Sequence, residues 1–458
     1  MNYPNTPGVK IKEVPLLPPS VAQVATSIPV FLGFTEKSPG KEATRITSLK
    51  DYEDAFGGAY AYKYSITVPT SATNPAPSFS VLNSTDATIG TYYLYEAMQA
   101  YFGNGGGACY VISVGSFTTA VSTTAFTDAM EIVERLDEPT LILFPEAAGI
   151  AGDPATAANP VSANEKYGIV AQAALNVASN TGDKFVILDT PKDEDMLDNN
   201  VVAAYRTALG TSYLNRGASY FPHLESIYTF QFHENSEYNG VSLKTLQDNG
   251  SGDYTTAMAL LKGFGRVELP PSAFMAGVYT RTDSAQGVWK APANVSLLGV
   301  TAPVTAVSDS TQEMLNVDAT SGKSINAIRT FAGLGTMVWG ARTLAGNDNE
   351  WRYINVRRLF LTVEESIKKA VSQFVFENND AKTWVKVSAM IKSYLNGIWQ
   401  DGGLQGVSEK EAFFVNVGLG QTMSEIDILE GRMIVKVGIA AVRPAEFIKL
   451  EFSHFVNQ

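Results

Sequence analysis

Two short runs, TLILFP at 140–145 and KFVILDTP at 184–191, decide the fold class. Each holds an unbroken apolar core, Leu141–Phe144 and Phe185–Leu188, and ends at a proline, Pro145 and Pro191. A strand with one wet face alternates apolar and polar residues. A strand that is apolar at every position is covered on both faces, as parallel strands under helices are. Between the two runs, EKYGIVAQAALNVAS (165–179) repeats its apolar residues at helical spacing. Strand, helix, strand is the βαβ unit, so 117–335 reads as an α/β domain.

The same reading extends upstream. VAQVATSIPVFLGFTEKSPG (21–40) is β-prone and closes at Pro39-Gly40; ACYVISV (108–114) is a further strand. ITSLKDYEDAFGG (46–58) predicts a short helix with Ser48 as N-cap and Asp51 three residues on, stopped by Gly57 and Gly58. TYYLYEAMQAYF (91–102) predicts a helix ending at Gly103. Residues 60–90, rich in Ser, Thr, Pro and Asn, read as a surface loop or small inserted hairpin.

Downstream the texture changes. VRRLFLTVEESIKKAVSQFVF (356–376) is amphipathic, with Leu359, Val363, Ile367, Ala370, Val371 and Phe374 on one face and Glu364, Glu365, Lys368 and Lys369 opposite. Glu364–Lys368 and Glu365–Lys369 stand in the favourable i,i+4 order. A second helix over 384–399 turns Val387, Met390, Ile391, Tyr394, Leu395 and Ile398 inward. The chain closes with GRMIVKVGIAAV (431–442) and the alternating RPAEFIKLEFSHFVNQ (443–458), in which Ile448, Leu450, Phe452 and Val456 share a side.

Composition narrows the function. The 458 residues suffice for two or three domains with real cores. Charged residues make up 17%, below the usual ~25%, which leaves surface to bury against partners. A net charge of -12 argues against nucleic-acid binding, which calls for a basic face. Cys109 is the single cysteine, so the chain holds no internal disulfide. The N-terminus lacks a signal-peptide layout and no apolar run approaches a membrane span. These features predict a protein made and assembled in the cytoplasm, without direct membrane insertion.

No catalytic constellation emerges. HENSE (233–237) lacks the second histidine of HExxH, and His223, His233 and His454 are scattered. The glycines of FGNGGGACYV (102–111) follow a helix and precede a strand, the reverse of a phosphate loop. SGKS (321–324) ends like a P-loop, but Val317 stands where the first glycine belongs. Asp189 sits at a strand end, where α/β enzymes keep carboxylates. With no G-x-S-x-G elbow it reads as a surface residue capping the next element. No cofactor or metal is expected.

The opening MNYPNTPGVKIKEVPLLPPS spaces prolines around one alternating stretch, Val9–Val14, and so reads as an extended arm holding a lone strand. A lone strand needs a sheet to join. Val9 and Ile11 share one side, with Lys10, Lys12 and Val14 on the other. About 20 extended residues at ~3.3 Å each reach roughly 60 Å, enough to cross to another subunit.

Several blocks, in order along the chain, resemble the contractile tail sheath family of phage tails and phage-tail-like injection systems. They are TPGVKIKEV with TSIPVFLGFT, ITSLKDYEDAFGG, YFGNGGGACYVISV, SYFPHLESI (219–227), LPPSAFMAGVYTRTDSAQGVWKAPAN (269–294), WGARTLAGNDNEWRYINVRRL (339–359) and RPAEFIKLEF. The resemblance implies a multidomain α/β and α+β architecture. Its parts are an arm over 1–20, the first part of the core over 21–116 with 60–90 inserted, and a central subtilisin-like α/β domain over 117–335 without a catalytic triad. A C-terminal α+β sheath domain over 336–442 and a C-terminal strand over 443–458 complete it.

The resemblance also implies a structural subunit, not an enzyme. It would polymerise as stacked six-fold rings around an inner tube protein, bounded by baseplate and terminator proteins, and contract to drive the tube through an envelope. The opening strand would then complete a neighbour's sheet through Val9, Ile11 and Val14, and the closing strand through Ile448, Leu450, Phe452 and Val456. Pro15, Pro18, Pro19, Gly431 and Pro444 would serve as linkers and hinges. Lys386 and Lys392, and next Lys368 and Lys369, are the candidate tube contacts. The final particle would be a virion tail or an extracellular or cell-anchored injection system. Two other classes stand beside this one: a non-contractile shell or capsid-like protein, and a degenerate α/β hydrolase.

Overall fold

The two buried runs are neighbouring parallel strands in a nine-stranded sheet. The computed structural model describes residues 20–68, 77–81, 92–153, 161–192, 194–263, 266–318 and 320–447. Its sheet comprises β1 (Pro29–Thr35), β2 (Thr44–Ile46), β3 (Cys109–Ser116), β4 (Leu141–Leu143), β5 (Phe185–Leu188), β6 (Gly217–Phe221), β7 (Val295–Ser296), β8 (Ile325–Phe331) and β9 (Gly335–Val338). They lie in the order β7-β9-β8-β6-β5-β4-β1-β3-β2. The six strands from β8 to β3 run parallel, and β2, β9 and β7 pair antiparallel at the two sides.

Helices cover both faces. They are α1 (Leu49–Phe56), α2 (Leu94–Gly103), α3 (Thr123–Glu134), α4 (Ala163–Thr181), α5 (Asn199–Ala208), α6 (Ser272–Gln286) and α7 (Asp309–Asn316). The strand period of two sorts the core. Phe31, Leu141, Leu143, Phe185 and Ile187 face a cluster with α1, α2 and α6. Val30, Leu32, Ile142, Val186 and Leu188 face a second cluster with α3, α4 and α5. This double coverage is what the unbroken apolar runs encode. Local signals hold as well: Ser48 Oγ accepts from Asp51 N at 3.2 Å at the start of α1, and Gly57 ends that helix at φ +88.

Residues 60–90 do contain a hairpin, Tyr64–Thr67 against Ser78–Val81. Its sheet is completed by Glu237–Tyr238 and Val241–Ser242, some 170 residues away, and the helices Leu243–Asp248 and Gly252–Gly263 come next. Ile66, Tyr238, Leu243, Leu246, Ala257 and Leu261 give this lobe its own small core.

The chain forms two compact units, one of the described residues in 24–364 with 443–447, the other of 20–23 with 365–442. α8 (Ile354–Val371) contributes its first part to the larger unit and its end to the smaller. Glu365 departs from the expected polar face of this helix. It is 7% exposed, and its carboxylate holds Lys368 at 2.9 Å and Lys369 at 3.6 Å. α9 (Ala381–Gln400) buries Val387, Met390, Ile391, Leu395 and Ile398, with Asp380 as its N-cap. β10 (Phe413–Asn416) and β11 (Lys436–Ile439) form an antiparallel ribbon in the same unit.

Candidate assembly interface

The polar groups nearest to a hydrolytic set are spent on architecture. Asp189 is not on the surface. It is 1% exposed, and its carboxylate accepts from Ser272 N at 2.7 Å, capping α6, whose N-cap Pro271 supplies no side-chain bond. Glu146 does the same for α2, where Tyr93 gives no cap: it accepts from Tyr93 N and Leu94 N at 2.8 and 2.9 Å and from Phe34 N at 2.6 Å. Buried carboxylates at helix N-termini meet the positive end of the helix dipole. Burial pushes Glu146 and Asp189 each up to about 7, against the pull of those backbone N–H groups. His223 Nε2 lies 2.8 Å from Thr190 O, and Ser272 is fully enclosed.

The remaining motifs are absorbed likewise. Lys323 of SGKS is buried and donates to Arg206 O, while Asp318 gathers the turn by accepting from Ser321 N. His233 of HENSE accepts from Asn235 N within its own turn. Among the described residues no group of three His, Cys, Asp or Glu side chains could hold a metal, and no helix is long and apolar enough to cross a membrane.

The distinctive blocks of the sequence meet in space. Arg358 of NVRRL grips Asp283 of YTRTD through two bonds of 2.5 and 3.0 Å, donates to Thr26 O, and lies 4.5 Å over the Tyr279 ring. Arg342 of WGARTL takes Glu446 of RPAEF. Its Nε donates at 2.9 Å and its second terminal nitrogen at 2.6 Å, with Asn316 at 3.0 Å and Tyr353 at 3.3 Å as further donors. Burial works to raise the Glu446 carboxyl, but these bonds outweigh it and hold the group below the usual range. Sequence reading placed 446 in a strand; an acidic residue beside a proline carries no local sign of so distant a partner.

The smaller unit carries the open surface. Phe413 and Val415 of β10 are buried, while Phe414 on the other face is 54% exposed. Phe414 sits opposite Gly438 in register, and a Cβ at 438 would collide with its ring. Two-stranded ribbons are marginal alone. Among the described residues no further strand pairs along β10 or β11; residues 403–405 bond only the stretch just past β11, where Gln405 N donates to Ala440 O at 2.7 Å. Val375, Phe376, Val407, Ile426 and Leu429 of this unit are also exposed.

The lysines proposed from sequence fall in two groups. Lys386 and Lys392 are exposed on α9, and with Lys382 they span an arc of about 120° at 100° per residue. Among the described residues none of these three has an ion pair. Lys368 and Lys369 converge on Glu365. Gly431, at φ +73, turns the chain after the helix Glu425–Leu429, and Pro444 lies just ahead of the Glu446 contact. Val9, Ile11, Val14, Pro15, Pro18, Pro19, Ile448, Leu450, Phe452 and Val456 lie outside the described residues.

Comparison with known proteins names this architecture. Residues 346–454 match the phage tail sheath C-terminal domain. The tail sheath protein of Vibrio phage KVP40 is 29% identical over 136 residues, 30% of this chain and 20% of that protein, and that of Enterobacteria phage T4 is 28% identical over the same length and shares. The chain thus matches a fifth of the length of those two relatives. Likeness to solved structures runs the full length. The sheath complex of the extracellular contractile injection system PVC in its contracted state is 32% identical with a TM-score of 0.66, covering 100% of this chain and 99% of that one. The helical sheath of the anti-feeding prophage, also contracted, is 32% identical with a TM-score of 0.65, covering 98% and 99%. The chain belongs to the contractile tail sheath family.

Proposed function

We propose that the chain is the structural subunit of a contractile injection sheath. It polymerises as stacked six-fold rings around an inner tube, capped by baseplate and terminator proteins, and contracts to drive the tube through a target envelope. The full-length likeness to contracted injection-system sheaths carries this reading. The similarity to the six-fold symmetrised baseplate of the anti-feeding prophage supports the ring symmetry and the baseplate partner. Relatives named as tail sheath protein and sheath complex support a role without catalysis.

The open-edged β10–β11 ribbon supports strand exchange, in which the arm strands of 9–14 and 448–456 from neighbouring copies extend it and bring their main-chain hydrogen bonds. Arms held in a neighbour keep subunits linked while they rotate as rigid bodies, so repacked interfaces supply the work of contraction. The lysine face of α9 suits an acidic inner tube. The subtilisin-like topology of the central domain belongs to the same reading.

Negative-stain microscopy of the full chain and of a version lacking residues 1–14, each co-expressed with the tube protein, tests it. Striated tubes from the full chain and single particles from the truncation are expected. Intact sheaths from the truncation would refute the arm linkage, and monomers from both would refute the sheath.

A further inference from the structure

Glu446 is the hydrogen-bonding hold on the stretch it belongs to. Among the described residues no backbone group of 443–447 makes a hydrogen bond, whereas the Glu446 side chain takes bonds from three residues. The donors arrive from three separate places: Asn316 ends α7, Arg342 follows β9, and Tyr353 precedes α8. They form a built site. Asn326 of β8 fixes the Arg342 backbone in both directions, its Oδ1 accepting from Arg342 N and its Nδ2 donating to Arg342 O, both at 2.8 Å. The guanidinium is steadied further by donating to Gly346 O at 3.2 Å. Gly340 passes so close to Asn326 that a Cβ there would lie 2.8 Å from its Oδ1. Arg342 is 4% exposed, and the fork-on-carboxylate contact is the strong, directional kind. The very next residue, Phe447, is 76% exposed, so its side chain adds no buried anchor of its own.

We propose that Asn316, Arg342 and Tyr353 form a carboxylate receptor that pins the root of the C-terminal segment through Glu446, so that tension on the residues beyond Phe447 passes into the nine-stranded unit and not into the unit of 365–442. The inference rests on the sheath reading in one respect: it takes the residues beyond Phe447 to join a second copy of this chain. Under it, the crossing at Val442–Arg443, one of three between the units beside Gln23–Val24 and Glu364–Glu365, is shielded by the Glu446 contact four residues on. A pull from a neighbour then loads the nine-stranded unit instead of unravelling the ribbon from β11.

The test uses the full chain with a nitroxide on Ala445→Cys. Ala445 is exposed, and the lone native thiol, Cys109, is fully buried with its pKa pushed up by that burial, so labelling is selective. Three backgrounds are compared: native, Glu446→Gln, and the swap Arg342→Glu with Glu446→Arg. An immobile spectrum in the native chain, a shift to the mobile component in Glu446→Gln, and recovery in the swap are expected. Sheath yield by electron microscopy, with tube protein present, should fall at least tenfold in Glu446→Gln and recover in the swap, while the melting profile of Glu446→Gln keeps a cooperative transition. A label as immobile in Glu446→Gln as in the native background overturns the receptor. A mobile label with native sheath yield overturns the tension route. Failure of the native chain to form sheaths overturns the sheath reading instead, and the spectra still decide the receptor.

Discussion

Asp283→Ala isolates the contact that joins two of the chain's most distinctive blocks. Arg358 and Asp283 are 3% and 4% exposed at their side chains, so neither charge has water to fall back on. Removing the carboxylate leaves the guanidinium with Thr26 O and the Tyr279 ring as its remaining partners. Stranding one member of a buried pair costs about 3–5 kcal/mol. The unit concerned has about 350 residues, and unfolding entropy of ~2.1 cal/mol/K per residue gives a slope of roughly 0.7 kcal/mol/K. The transition of that unit should therefore drop by about 4–7 °C in differential scanning calorimetry. Asp283→Ala with Arg358→Met removes both charges and refills the volume, so it should regain much of the loss, since an apolar replacement of a buried pair is often neutral. A single mutant melting within ~1 °C of native, or a double mutant falling well below the single, would refute the reasoning that this pair is a mutually dependent buried contact.

Three further outcomes are expected. Burial pushes the Glu96 carboxyl to about 8, with Glu146 beside it adding to the effect and Glu146 itself raised to about 7, so the folded chain holds protons that the unfolded chain has released. Their contribution to stability is full below about 4.5 and is lost as pH rises from there through about 7–8; urea midpoints should fall across that window, and Glu96→Gln should flatten the dependence by on the order of 5 kcal/mol. Gly277 lets α6 approach α2, because a Cβ there would stand 2.6 Å from Tyr101 O; Gly277→Ala should cost about 1–3 kcal/mol by chemical denaturation, and a native-like midpoint would contradict the close crossing. Charge reversal at Lys386 and Lys392 should leave melting within ~0.5 kcal/mol of native yet abolish co-sedimentation of sheath with tube; unchanged co-sedimentation would move the tube contact off α9.

Much of the fold is legible in local pattern. The apolar runs at 140–145 and 184–191 are covered on both faces, as their lack of alternation requires, and the inward residues of α9 follow from 3.6-residue spacing. Other features are not local. The hairpin at 64–81 finds its sheet partners at 237–242, and no pattern in either stretch marks the other. Asp189 looks like a cap for the adjoining element of the chain but caps α6, 83 residues on, because the parallel sheet delivers its strand end to that helix. Glu365 fits a polar face by period and is nonetheless buried. The ribbon of β10 and β11 is not legible: Gly431 and Pro444 read as hinges bounding a linker, and the pairing of 436–439 with 413–416 appears only in the tertiary structure.

By itself, then, the sequence determined the periodic part of this protein: which segments are strands under helices, which helix faces are apolar, and where turns must fall. Those follow from backbone geometry and side-chain burial within windows of about ten residues. The tertiary structure alone decided which polar groups meet. Arg358 with Asp283, Arg342 with Glu446, and Glu146 with the start of α2 join residues 52 to 104 positions apart. Such pairs leave no periodic trace, because a charge inside a protein is matched to whatever the packing brings within about 3 Å, however far away along the chain.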